Sequence, residues 1–179
     1  MANHLITNRL ILRRWRADDR LPFRKMNSDP RVMEYMPGLL SAADSDALVD
    51  RIESHFDRHG FGLFAMELLE SKSFIGFTGL MIPAFDAPFM PAVEIGWRLA
   101  AEYWGKGLAT EAAQEVLRYA FDYLQLKRVV SFTVPHNTRS RRVMEKIGMQ
   151  HSPGEDFDHP SLPVGHPLRR HVLYKVERS

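Results

Sequence analysis

The chain has 179 residues, 45% hydrophobic and 26% charged, with a formal net charge of +2. These are ordinary values for a soluble globular domain with room for a sizeable core, and they argue against a disordered, fibrous or membrane-embedded chain. So slight a positive excess is no nucleic-acid footprint, and without a single cysteine there is no disulfide, thiolate nucleophile or Cys-ligated zinc.

Residues 1–7 lack the basic-then-apolar order of a signal peptide. No stretch approaches the ~20 apolar residues of a membrane span. One cytoplasmic domain over 1–179, with no membrane or nucleic-acid partner, is the expectation. Residues 10–15 read as a first strand, and Asp18 and Asp19 as caps for a short helix ending near Asn27. From Ser41, the spacing of Leu48, Ile52 and Phe56 predicts a helix stopped by Gly60. Segments 62–69 and 74–80 form a predicted hairpin, with Gly76 and Gly79 marking a bulge or a weak point in its second strand.

A loop containing Pro83, Pro88 and Pro91 follows, then a strand over 92–99. Beyond it Ala109, Ala112, Ala113, Val116, Leu117, Ala120, Phe121 and Leu124 repeat with helical spacing, so a helix begins close to Gly107. Residues 128–134 form the next strand, 138–147 a helix closed by Gly148, and 149–151 and 170–176 a last pair of strands. This order predicts an α/β (α+β) sheet flanked by helices.

Gly105-x-Gly107-x-Ala109 between a strand and a strong helix has the physical makings of an anion site. Glycines let backbone approach a ligand, and the first-turn N–H groups point outward, aided by the helix dipole. The same spacing also fits a mere tight turn. A Gly-x4-Gly-Lys-Ser/Thr loop is absent, and Thr110 stands where the dinucleotide fingerprint needs its third glycine.

Five blocks run in order along nearly the whole chain. They are Thr7-x-Arg9-Leu10-x-Leu12-Arg13, Ile75-Gly76-Phe77-x-Gly79-Leu80, Val93 through Leu99, Tyr103 through Ala112, and Asn137-x-x-Ser140 through Met149. In them the chain resembles the GNAT superfamily of N-acetyltransferases, most nearly its RimJ/RimL-like branch. The resemblance implies a mixed, mostly antiparallel sheet whose fourth and fifth strands splay to admit acetyl-CoA. It implies backbone contacts to the pyrophosphate from Gly105, Lys106, Gly107, Leu108, Ala109 and Thr110. Trp104 occupies the position where the superfamily usually carries Gln or Arg. Trp97 and Leu99 on the splayed strand are expected to meet the pantetheine arm by strand addition, Asn137 to make a polar contact, and Arg142 to approach the 3′-phosphate, with Arg139, Arg141 and Lys146 as neighbours.

The reaction implied is attack of an amine, either a protein N-terminus or a small molecule, on the thioester. It needs a base, a donor for the carbonyl oxygen and an acid for the leaving thiolate. Glu94 is the first candidate base and Glu67 the second, with a histidine of the 155–170 loop behind them; Ser140 is the candidate acid. A backbone N–H near Trp97 or Leu99 is the expected oxygen donor. Each has an ordinary alternative: a salt-bridged glutamate, a serine bonded to its own helix, a proline-pinned loop. His55 and His59 are four apart, but without the glutamate of a His-Glu-x-x-His site or a third ligand no metal is expected. A catalytically silent acyl-CoA-binding module is the competing reading, and a dinucleotide-binding oxidoreductase a weaker third. A homodimer is the default assembly.

Overall fold

The computed structural model describes residues 4–178. A hairpin of β1 (His4–Ile6) and β2 (Leu10–Arg13) leads through a 3-10 turn at Ala17–Asp19 into α1 (Arg20–Asn27), and an irregular segment leads to α2 (Ala42–His59). Then come β3 (Leu63–Leu68), β4 (Phe74–Met81), β5 (Glu94–Leu99) and α3 (Leu108–Arg118), and β6 (Arg128–Thr133) and α4 (Thr138–Lys146). The short strands β7 (Gln150–His151) and β8 (Phe157–Asp158) precede β9 (Arg170–Glu177).

The sheet runs β1-β2-β3-β4-β5-β6-β9-β7, with β8 on β9, and every pairing is antiparallel except β5 with β6. That parallel pair is held at one register position, Glu94 opposite Val130, with the Val130 N–H donating to the Val93 carbonyl. Beyond Glu94 the two strands part. They are the fourth and fifth strands read from the sequence; β1 was not foreseen, so the splay falls one strand later in the full count.

Local chemistry explains the helix ends. The Ser41 Oγ accepts from the Asp44 N–H at 3.1 Å, and Gly60, at φ +76°, ends α2 in the left-handed conformation. The buried stripe Ala112, Ala113, Val116, Leu117 and Ala120 packs α3 across β4 and β5. At Tyr119–Tyr123 that helix widens into a π-turn, with the Leu124 N–H donating to the Tyr119 carbonyl. Periodicity alone hides this, because the apolar side chains stay on one face. Gly76 does border a bulge, whereas Gly79 lies in regular register opposite Leu63. The register slips beside Gly76, where Met66 faces Gly76 and Glu67 faces Phe74, leaving Ile75 over. The two glycines permit close strand approach: a Cβ at either would lie 2.1 Å from a neighbouring backbone carbonyl oxygen.

Candidate active site

The parting of β5 and β6 leaves one edge of β5 unpaired. The Ala100 N–H donates to Ile75 of β4, whereas the Val93 carbonyl faces β6. Backbone groups alternate sides along a strand, so residues 95, 97 and 99 point into the gap. The Leu99 carbonyl is taken by the Trp104 indole N–H at 2.9 Å. Among the described residues the backbone polar groups of Trp97 and the Leu99 N–H have no hydrogen-bond partner.

The glycine loop forms the next wall. Gly105 and Gly107 sit at φ +73° and +77°, a conformation that L side chains resist. Gly107 is the N-cap of α3, and the first helical N–H to reach a carbonyl is that of Glu111, which bonds to Gly107. Among the described residues no backbone bond takes the N–H groups of residues 105–110. Six successive free donors at a helix start make a cradle for an anion.

The loop is fastened from behind. Glu111 accepts from the Thr7 hydroxyl at 2.6 Å, the Arg9 N–H at 2.9 Å and the Arg9 Nε at 2.7 Å, while Arg9 Nη1 donates to the Lys106 carbonyl at 2.9 Å. Lys106 itself leaves the cleft wall: its ammonium stands 5.4 Å above the Tyr103 ring.

The third wall is α4. Asn137 is its N-cap, accepting from the Ser140 N–H at 3.1 Å and donating to the Thr133 hydroxyl at 3.0 Å, so both ends of the amide have protein partners. Ser140 differs from the usual first-turn serine: among the described residues its hydroxyl bonds to nothing, and it lines the cleft. Arg142 and Lys146 line the cleft too, whereas Arg141 is committed to the Tyr174 hydroxyl and the Pro135 carbonyl. Arg139 lies 4.4 Å over Trp104 and pairs with Glu34 at 2.8 Å, joining α4 to the segment after α1. That segment adds Arg31, Val32, Tyr35 and Met36, and the cavity holds about 350 Å³.

Glu94, Gly96 and Arg98 share the other face of β5. Glu94 sits at the apex of the splay, half-buried, its Oε1 turned toward Gly96. Among the described residues its carboxylate has no hydrogen bond or ion pair, and desolvation pushes its pKa up to about 8. It does not line the cavity wall, which runs from Trp97 onward. Arg98 does: Nη1 donates to Asn27 Oδ1 at 2.7 Å, Nη2 lies 3.3 Å from the Met36 sulfur, and the guanidinium stands 5.3 Å over Phe77.

The other candidate bases are engaged elsewhere. Glu67 is buried between Arg13 at 2.8 Å and Arg16 at 3.0 Å, outside the cleft. His159 and His171 stand 5.2 Å apart beside Phe85, Phe132 and Phe157, both lowered in pKa by burial. His159 Nδ1 accepts from the Ser161 N–H and His166 Nδ1 from the Leu168 N–H, so the loop holds its own turns. His55 uses both ring nitrogens on backbone, Nδ1 at the Phe61 carbonyl and Nε2 at the Ile82 N–H.

Sequence reasoning missed the 31–36 wall, the Arg9–Glu111 fastening and the place of Arg98. Segment 28–40 has no periodicity to read. Arg9 and Arg98 were visible inside the quoted blocks, but only the fold supplies their partners.

The sequence of residues 9–150 matches the family model described as an acetyltransferase (GNAT) domain. YnaD of Bacillus subtilis (strain 168), described as an uncharacterized N-acetyltransferase, is 32% identical over 174 residues, 97% of this chain and 96% of that protein. A Bacillus anthracis acetyltransferase of the GNAT family superposes with a TM-score of 0.80 at 28% identity, covering 97% of this chain and 98% of that one. Mycobacterium smegmatis RimJ in complex with CoA-disulfide shares the fold, with a TM-score of 0.72 at 23% identity over 94% of this chain and 81% of that one. Among the described residues no helix is long and apolar enough to cross a membrane.

Proposed function

The chain belongs to the GNAT acetyltransferase family, and from that premise we propose that its cleft transfers an acetyl group from acetyl-CoA to a primary amine by direct attack in a ternary complex. One observation carries this reading: three separate segments bring the free amides of Gly105 and of residues 107–110, an open strand edge and an unbonded serine hydroxyl to one cavity. The donor set suits coenzyme A, whose pyrophosphate needs N–H donors and whose pantetheine amides need a strand edge.

Bound acetyl-CoA supplies a thioester carbonyl open to attack. The amides of residues 105–110 hold the pyrophosphate, with Arg142 and Lys146 toward the 3′-phosphate. The open groups of Trp97 and Leu99 align the pantetheine arm, and one of their N–H groups donates to the carbonyl oxygen as charge gathers there. Glu94 takes the proton of the attacking amine. Its pKa of about 8 keeps the carboxylate basic enough for that transfer while leaving part of it ionised at neutral pH. The Ser140 hydroxyl gives its proton to the leaving sulfur. Holding both substrates in one cavity supplies much of the acceleration. The acceptor class is a protein N-terminus or a small amine, the location the cytoplasm and the assembly a homodimer.

Gly107→Val tests the donor half. A branched side chain at φ +77° disrupts the cradle, so calorimetric titration with acetyl-CoA should show at least about ten-fold weaker binding, roughly the two lost hydrogen bonds. Unchanged affinity would remove the loop from the binding site.

A further inference from the structure

We propose that Arg98 is the anchor for a carboxylate on the acceptor, so that the preferred acceptor is an amine carrying a carboxylate group. The inference rests on the acetyl-transfer reading and adds its substrate class.

A half-buried guanidinium at a cavity wall is completed by an anion or a full set of acceptors. Arg98 has neither. Its polar contacts are one amide oxygen and one thioether sulfur, both neutral, and below it lies the face of Phe77. Among the described residues no carboxylate comes within ion-pair distance of it. The acids nearest in the chain to its loop partner are engaged, Asp29 with Arg31 and Glu34 with Arg139. Asn27 is fully buried and its Nδ2 donates to the Ser45 hydroxyl, which fixes its oxygen toward Arg98. The guanidinium is therefore held in place with donors left over, facing the cavity.

The anion that completes it does not come from the donor. The phosphates of coenzyme A suit the amides of residues 105–110 and the cations of α4, while the pantetheine arm beside β5 is uncharged. Glu94 and Arg98 lie on one face of β5 with Gly96 between them. A side chain at Gly96 would meet only Glu94 Oε1, at 4.0 Å. The floor between proton acceptor and cation is therefore open. An amine over Glu94 with its carboxylate toward Arg98 has a complementary charge at each end, and Arg binds carboxylates in a two-pronged geometry.

The test uses matched acceptors, each amino acid paired with its carboxamide, over a series that lengthens the amine-to-carboxylate spacing. For the intact protein with acetyl-CoA, kcat/KM for at least one carboxylate should exceed that for its amide by ten-fold or more. In Arg98→Met the ratio should fall to near one, with KM for acetyl-CoA within two-fold, and Arg98→Lys should restore part of it. Equal or better transfer to the amides by the wild type overturns the inference and leaves acetyl transfer standing, whatever the variants' folding. A preference that survives in Arg98→Met also overturns it. No transfer to any member of the series overturns the inference, and acetylation of other amines or of peptide N-termini by the same preparation then decides whether acetyl transfer itself stands.

Discussion

Two arginines leave the same sheet for the protein interior and meet opposite surroundings. Arg13, on β2, bonds to Asp19 through Nη1 at 2.7 Å and Nη2 at 2.9 Å and to Glu67 through Nε at 2.8 Å, with all three side chains buried. Arg98, on β5, meets an amide, a sulfur and a ring. The acids around Arg13 support its cation, whereas burial alone acts on Arg98 and lowers its pKa to about 10. A charge satisfied within the fold has no capacity left for a ligand. A charge left half-satisfied at a cavity wall has that capacity, and Glu94 on the same strand is its counterpart of opposite sign.

Removing Arg13 should break the contrast on its structural side. Arg13→Met takes the guanidinium from the buried Asp19 carboxylate and leaves Glu67 only the exposed Arg16, so the expected loss is about 3–5 kcal/mol, read as a fall of roughly 10 °C in thermal midpoint. Acetyl-CoA affinity of the folded fraction should stay unchanged.

Glu94→Gln probes the functional side. Losing a general base lowers kcat/KM by about 10²-fold or more. The wild-type rate should rise with pH toward about 8 as the carboxyl ionises, and the variant should lack that rise. Stability moves the other way. A carboxyl whose folded pKa lies above its unfolded value binds more protons when folded, so wild-type stability should fall as pH climbs from about 4.5 to 8. Melting curves of wild type and variant at the two ends of that window give the slope, which Glu94→Gln should flatten.

Arg98→Met should change stability by no more than about 1 kcal/mol, because shedding a desolvated charge offsets the Asn27 oxygen it leaves unpaired. A loss as large as that of Arg13→Met would place Arg98 in the structural class. The smallest effect belongs to the fastening of the glycine loop. Arg9→Ala removes a partly exposed pair worth up to about 1 kcal/mol, so KM for acetyl-CoA should rise by at most about five-fold with kcat nearly unchanged.

The glycine loop and its helix were legible from residue order because they depend on local chemistry. Two glycines with positive φ and an amphipathic helix behind them are encoded within twenty residues, and the helix expected to begin close to Gly107 has that residue as its N-cap. The order of strands and helices was readable for the same reason, apart from the hairpin at β1 and the short β8. The surroundings of Glu94 and Arg98 were not legible. Glu67 and Glu94 look alike in sequence, each on a strand among apolar neighbours, and only the pairing of β2 with β3 brings Arg13 to Glu67 and leaves Glu94 alone. Arg98 owes its surroundings to Asn27 at the end of α1 and Met36 in the irregular stretch after it, some sixty to seventy residues earlier.

The most direct test of the account is product formation. The wild-type protein is incubated with acetyl-CoA and a broad panel of amines, and N-acetylated product is measured by mass spectrometry against released thiol. The account predicts saturable formation of an N-acetylated amine, one per thiol released. Tight, saturable binding of acetyl-CoA without acetylated product from any amine would contradict it and leave a silent acyl-CoA-binding module.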